Sequence, residues 1–454
     1  MTMRRALSPW TAPLLILLLL AAACRSADTN DGAARVVQSD DEEIVVDSAE
    51  SDVDPATEPA PETEPVELTA SFRGVTAESI KVGVTALDWD ALADLGLHFG
   101  RSNSGDLWEA ALERINDNGV VYGRTLEIVV EEVLPIGSVD FDEACARLTE
   151  DEEVFLVVGQ ALEDQVLCLI ELNETAAVTV AGMADPILDR AVAPYTTLWA
   201  SFETQATNLV ALVEESGALE GATIGVTGSA DIGLAEYEAI VAAFRAAGYD
   251  VVEALVDADG SDIQNTEQDL AVVFERFRDA GVDFTVSTTG VPLEIAGAQN
   301  AGYTTDQWLL TVVVTESGLS DAGVDTDYLD GALAIVNTDV ATTNQPSMGS
   351  DPAVAACIDE LVAATGHALS YELGTEVNDI ATGLHACAIA DIVEQALTNA
   401  GPVLTNDSFQ SGLEEMGDID LAGYLDASLE AGDLGAAKGL RFARFDAGAW
   451  ELID

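Results

Sequence analysis

Few residues in this chain have the type and spacing for reactive chemistry. Histidine occurs three times, at His98, His367 and His385, and none stands at the spacing of a metal site or a triad. GxSxG, HExxH, GxGxxG and GxxxxGK[ST] are all missing, so no catalytic residue is nominated and an enzyme is not expected. Carboxylates are so abundant that paired acids carry no information. Cysteine is more telling. Cys24 closes an apolar run, and Cys145, Cys168, Cys357 and Cys387 remain in the body without any CxxC spacing, which argues against zinc. Binding chemistry is better represented. In open parallel sheets, ligands sit beyond the carboxyl ends of strands. That rule nominates Asp88, Trp89 and Asp90 after "SIKVGVTAL", Gln160 and Ala161 after "VFLVVG", and Met183 and Asp185 after "VTVAG". It also nominates Ser229, Asp231 and Ile232 after "IGVTG", Val291 after Gly290, and Glu316 and Ser317 after "LTVVVT". Loop Asp and Ser also serve as caps and turn formers. Trp89 stands out, because a Trp at a strand tip is poorly used as core.

The region ahead of these strands reads as a leader and a tether. Arg4 and Arg5 precede an apolar stretch, Leu14 to Ala23, of signal-peptide length and too short to span a bilayer. Leu20-Ala21-Ala22-Ala23-Cys24 resembles the lipobox of bacterial lipoproteins. That resemblance implies cleavage after residue 23 and a diacylglyceryl thioether on Cys24, and two acyl chains anchor firmly. Residues 24–77 are rich in Asp, Glu and Pro, with "DPATEPAPETEPVE" near the end. Such a composition cannot bury enough apolar surface to offset ordering entropy, so a disordered acidic linker is expected. Export places the four remaining cysteines in an oxidising compartment. Two disulfides are then expected, with three pairings open.

The chain carries 17 basic and 82 acidic residues, a net charge of −65. Such a charge repels nucleic acid and anionic lipid headgroups, so no nucleic-acid partner is expected.

The candidate binding residues must be held by the body from residue 78 on, whose length suits two domains. Its pattern alternates strand and helix. Strand 79–87 is followed by helix 104–119, with Leu107, Trp108, Ala111, Leu112 and Ile115 on one face. Strand 125–133, a helix around "DFDEACARLTED", strand 154–159, helix 164–174 and strand 176–182 continue the series. The pattern restarts near residue 200 with helix 203–216. Strands 222–228, 250–256, 283–289 and 308–315 then alternate with helices 233–247, 266–280 and 292–301. From residue 351 helices dominate, and "GLRFARFDAGAWELI" closes the chain in strand-like character. This βαβ alternation implies parallel sheets covered by helices on both faces.

The opening "IKVGVTALDWDALADLGLHFGRSNSGDLWEAALERINDNGVVYGRTLEIVVEE" resembles type I solute-binding proteins, the branched-chain-amino-acid-binding group of ABC importers. The helix ending in "INDNG", the Gly-Arg turn before the second strand, "VFLVVG" and the terminal hairpin carry the likeness. It implies an α/β fold of two Rossmann-like lobes with parallel sheets and a cleft between them. By the family topology, 78–199 plus 336–415 would form one lobe and 200–335 plus 416–454 the other. It implies a lipid-anchored protein on the extracytoplasmic face of the cell membrane. There it binds a small solute without a cofactor and delivers it to an ABC permease. The alternative on the same fold is a ligand-sensing lipoprotein reporting to a membrane receptor. Cys145 and Cys168 lie on helices flanking one strand, where the family often has a bridge, and Cys357 and Cys387 lie on consecutive helices of one lobe; these pairings are expected.

The family's amino-acid binders hold the carboxylate with hydroxyls and N–H groups after the third and fourth strands. The matching places here read Gln160-Ala161-Leu162-Glu163 and Gly182-Met183-Ala184, without a hydroxyl. An aromatic of the second lobe is replaced at about Ile232, while Glu316 falls near the family's acidic ammonium partner. The expected solute is therefore less charged than an α-amino acid, or cationic: an amide, a polyol-like compound, or a flat ring stacking on Trp89.

Overall fold

The computed structural model describes residues 68–454 except 95–103, 120, 135–138, 162, 220, 230–232, 257–262, 289–291, 312–322, 338–350, 368, 370–378, 447 and 454. The first half of the body runs β1 (Ser79–Leu87), α1 (Trp89–Asp94), α2 (Gly105–Asn118), β2 (Thr125–Val133), α3 (Val139–Ala146), β3 (Leu156–Gly159), β4 (Ala176–Thr179), α4 (Asp185–Leu188) and β5 (Tyr195–Trp199). Then follow α5 (Phe202–Ser216), β6 (Ile224–Ser229), α6 (Leu234–Ala246), β7 (Val251–Val256), α7 (Ile263–Ala280), β8 (Phe284–Ser287), α8 (Pro292–Asn300), β9 (Gln307–Leu310) and β10 (Leu333–Val336). The last stretch holds α9 (Pro352–Thr365), α10 (Ile380–Ala400), α11 (Asn406–Glu414), β11 (Gly417–Asp418), β12 (Ser428–Leu429), β13 (Gly435–Ala437), β14 (Arg441–Asp446) and β15 (Ala449–Ile453).

Two sheets organise the molecule. The first has six strands in the order β13-β5-β4-β3-β1-β2, all parallel. The second has seven, β15-β14-β10-β9-β8-β6-β7, parallel from β10 to β7 and closed by the antiparallel pairs β10–β14 and β14–β15. β11 and β12 pair by themselves.

Each parallel sheet is apolar on both faces, as crossover helices require. Val82 and Val84 face a cluster built with Trp108 of α2, Ile358 of α9 and Ile389 of α10, while Val157 and Ala177 face Phe141, Cys145, Leu169 and Ile170 on the other side. In the second sheet Ile224 and Val226 meet α5 and α6, whereas Ala254, Leu310 and Ala334 meet Phe274 and Phe277 of α7. Among the described residues α10 alone is long and apolar enough to cross a membrane, but 78% of that stretch is buried in the first lobe. Both expected disulfides are present, Cys145–Cys168 and Cys357–Cys387.

Some expectations change. The expected helix 164–174 is two short turns instead, a tight one at Glu163–Val166 and a wide one at Cys168–Leu172. β5, β10 and β13 were not read from the sequence. The last of these shifts the lobe boundary, because 416–454 was expected in the second lobe. Gly435 and Ala437 pair with Thr197 and Trp199 of β5, and Leu421, Leu429 and Ala436 pack into the first lobe's core. The chain returns to the second lobe only between β13 and β14.

Candidate functional site

The ends of the first sheet gather part of the expected set. The Asp88 N–H donates to Val133 O at 2.8 Å, and Asp88 Oδ1 accepts from Ala91 N at 2.8 Å. Asp88 thus caps α1 while holding the ends of β1 and β2 together. Trp89, half-buried, follows it in the first turn of α1. On the neighbouring strand the Gln160 N–H donates to Thr85 O at 2.8 Å, and Gln160 O accepts from Thr85 Oγ1 at 2.6 Å. This close approach depends on Gly159, whose φ is +115° and where a Cβ would lie 2.2 Å from Thr85 O. Leu87, Val133, Phe141, Gln160, Ala161 and Gln165 line a small recess at this edge.

Ala161 and Met183 differ from the rest. Both are at most 1% exposed and sit in the apolar cluster around Cys145. Asp185 is exposed at the start of α4, and its N–H donates to Glu203 Oε2 at 3.0 Å, across to the first turn of α5. Of the second-lobe candidates, Ser229 ends β6 and is buried, while Asp231, Ile232, Val291, Glu316 and Ser317 lie outside the described residues, as do His98 and Cys24.

What the structure does show at the second sheet's ends was not read from the sequence. A layer of hydroxyls ends these strands. Thr288 Oγ1 donates to Thr227 O at 3.1 Å, and Thr311 Oγ1 donates to Thr288 O at 3.1 Å. Glu294 of α8, 2% exposed, accepts from Ser287 Oγ at 2.7 Å and from Thr227 Oγ1. Glu236 in the first turn of α6 lies beside the Thr311 hydroxyl, and burial pushes its carboxyl up to about 7. An acid in the first turn of a helix is a common cap, so the sequence alone could not single these two out.

Three strands, β5, β10 and β13, end where the chain passes between sheets. β5 leads through Ala200 and Ser201 into α5, and β13 through Lys438 to β14. Asn208 Nδ2 of α5 donates to Lys438 O at 3.1 Å, and the Leu425 N–H donates to Asn337 O, just past β10, at 3.1 Å. The junction is tightly packed: a Cβ at Gly182 would lie 2.2 Å from Ala200 O, and one at Gly435 2.4 Å from Ala200 Cα.

The same edge of the first lobe carries two helix N-termini. Ser104 caps α2 in position only, without a side-chain cap bond, and Asp379 stands likewise before α10. His367 links them, with Nε2 2.8 Å from Asp106 Oδ2 and Nδ1 3.7 Å from Asp379 Oδ2. His385 of α10 packs edge-on against Trp199 at the end of β5. The two histidines therefore hold elements together, as expected of structural histidines. Among the described residues no group of three or more His, Cys, Asp or Glu is placed to hold a metal ion. The site consists of donors, acceptors and aromatic faces, which suit reversible binding.

A family model described as periplasmic binding protein matches residues 103–449, so the chain belongs to that family. Its fold is that of known structures. A possible leucine/isoleucine/valine-binding protein from Rhodopirellula baltica SH 1 superposes with a TM-score of 0.61 at 17% identity, over 83% of this chain and 96% of that one. A solute-binding protein of an R. palustris ABC transporter, in complex with 4-hydroxybenzoate, gives 0.61 at 16% identity, over 83% and 96%. A branched-chain amino acid ABC transporter protein from Thermus thermophilus with bound valine gives 0.61 at 15%, over 83% and 96%. No curated protein matches by sequence.

Proposed function

We propose that this protein is the extracytoplasmic substrate-binding component of an ABC importer, anchored by lipid on Cys24, and that it takes a small polar solute between its lobes. The observation that carries the reading is that two parallel sheets are joined by crossings at Ala200, Asn337 and Lys438, directly after the ends of β5, β10 and β13. Ligands of open parallel sheets bind at such ends, and a solute held there contacts both lobes. Family membership and the relatives' solutes, valine and 4-hydroxybenzoate, support it.

The solute we infer is an amide, a polyol-like compound or a flat ring, less charged than an α-amino acid or cationic. At the first sheet's ends Ala161 and Met183 bring no hydroxyl. A carboxylate left without partners in a dry cleft costs several kcal/mol. At the second sheet's ends Glu236 and the threonine hydroxyls suit a donor-rich solute. Native mass spectrometry of the protein purified from its host tests this: one small molecule bound per chain supports the reading. Recovery of leucine, isoleucine or valine would overturn the ligand class.

A further inference from the structure

We propose that the first lobe's share of the ligand site lies at the N-terminal ends of α2 and α10, where Ser104 Oγ and Trp108 Nε1 donate to an uncharged oxygen acceptor of the solute, an amide carbonyl or a hydroxyl. The inference rests on the solute-binding reading and deepens it.

Ser104 is 1% exposed and Trp108 is fully buried, yet Ser104 Oγ and Trp108 Nε1 have no hydrogen-bond partner. Buried polar side-chain atoms almost always have one, and an indole N–H can only donate. The two side chains belong together. Ser104 is the N-cap of α2 and Trp108 stands four residues on, the spacing at which residues share one face of a helix. The first turn of α2 is pressed onto the ligand-bearing edge of the sheet: a Cβ at Gly105 would lie 2.8 Å from Val130 Cγ1 and 3.9 Å from Ala86 Cβ. Trp199 Nε1, at the end of β5 on the same edge, is a further buried donor without a partner. The first lobe thus offers donors to an incoming acceptor.

The charge around them selects the kind of acceptor. Asp106 and Asp379 share the single imidazole of His367. Even a protonated imidazole leaves that trio net negative. An incoming carboxylate would be repelled, whereas a carbonyl or hydroxyl oxygen accepts the same hydrogen bonds without that penalty. In the sequence Trp108 belongs to the apolar face of a helix, and nothing in its spacing distinguishes it from a core residue.

The test uses the full chain labelled with ¹⁵N in its indoles, the Trp108 signal being assigned in the wild type from its through-space contacts with the neighbouring side chains of α2. The uncharged probes are 4-hydroxybenzamide, nicotinamide and myo-inositol; the charged ones are leucine, valine and 4-hydroxybenzoate. The expected result is that an uncharged probe raises the unfolding midpoint and moves the Trp108 Nε1–H signal downfield. Its affinity should fall about tenfold or more in both Trp108→Phe and Ser104→Ala. The signal is read in the wild type, so it decides even where a variant fails to fold. If a probe stabilises the protein while the Trp108 signal stays in place, or if only carboxylates move it, the inference fails and the solute-binding reading stands. If no probe stabilises the protein and the signal never moves, both fail.

Discussion

Arg124 shows how one side chain organises the first lobe. Its guanidinium is buried, and it donates to Thr76 O at 2.7 Å, Pro402 O at 2.9 Å and Thr69 O at 3.1 Å. Burial lowers its pKa, and the three carbonyls of separate segments are the partners that hold the charge inside. Arg124→Met keeps much of the volume and strands those carbonyls. The expected loss is about 3 kcal/mol in urea unfolding, and a loss under about 1 kcal/mol would show the carbonyls finding water instead. Glu236 makes a pH prediction. Its folded pKa, about 7, stands above the usual 4.5. The folded state therefore holds the proton more tightly. That contribution is full below about 4.5 and is lost as pH rises through about 7. Glu236→Gln should then gain in midpoint relative to the wild type between pH 5 and pH 8, and parallel midpoint curves would contradict it. At this scale the sequence was partly legible. The Gly-Arg turn that presents Arg124 was recognised, and so were the cysteine pairs. The enclosure of Ala161 and Met183 was not, because a residue just past a strand end can turn toward the cleft or the core at the same spacing.

Among elements, the disulfides and the β13–β5 pairing join parts distant in sequence. The bridges close loops of 23 and 30 residues. Chain entropy assigns each about 3.5 kcal/mol. Replacing either pair by alanines should lower stability by about that much in denaturant titrations, and an unchanged midpoint would show that the reduced chain is already restrained. β13 depends on a glycine. Gly435→Ala would force a Cβ to within 2.4 Å of Ala200 Cα, so we expect loss of protection of the Thr197 N–H, which donates to Leu434 O at 3.0 Å. Unaltered hydrogen exchange there would refute the packing. Long elements such as α2, α5 and α6 were readable because a full apolar face repeats over many residues. β5, β10 and β13 have only three to five residues each. Runs that short have no period of their own, and the tertiary pairing decides them. The lobe assignment of 416–437 was missed for that reason.

The whole molecule carries a net charge of −65, and only Lys81 and Lys438 supply ammonium groups. Both are paired, with Glu152 at 3.1 Å and Asp433 at 2.9 Å, yet such exposed pairs contribute little against so large a repulsion. Salt should therefore stabilise this protein. Raising KCl shortens the screening length from about 10 Å at 0.1 M to about 3 Å at 1 M, and the midpoint should climb over that range; a flat or falling midpoint would contradict self-repulsion as a leading cost. The central claim is reversible capture of a small polar solute by the two lobes together. Thermal unfolding against a solute panel tests it most directly. A solute at about 100 times its Kd adds about 2.7 kcal/mol, which should raise the midpoint by several degrees. The account predicts such a rise for an amide, a polyol or a flat uncharged ring. A rise given by leucine, isoleucine or valine alone, or by no solute at all, would contradict it.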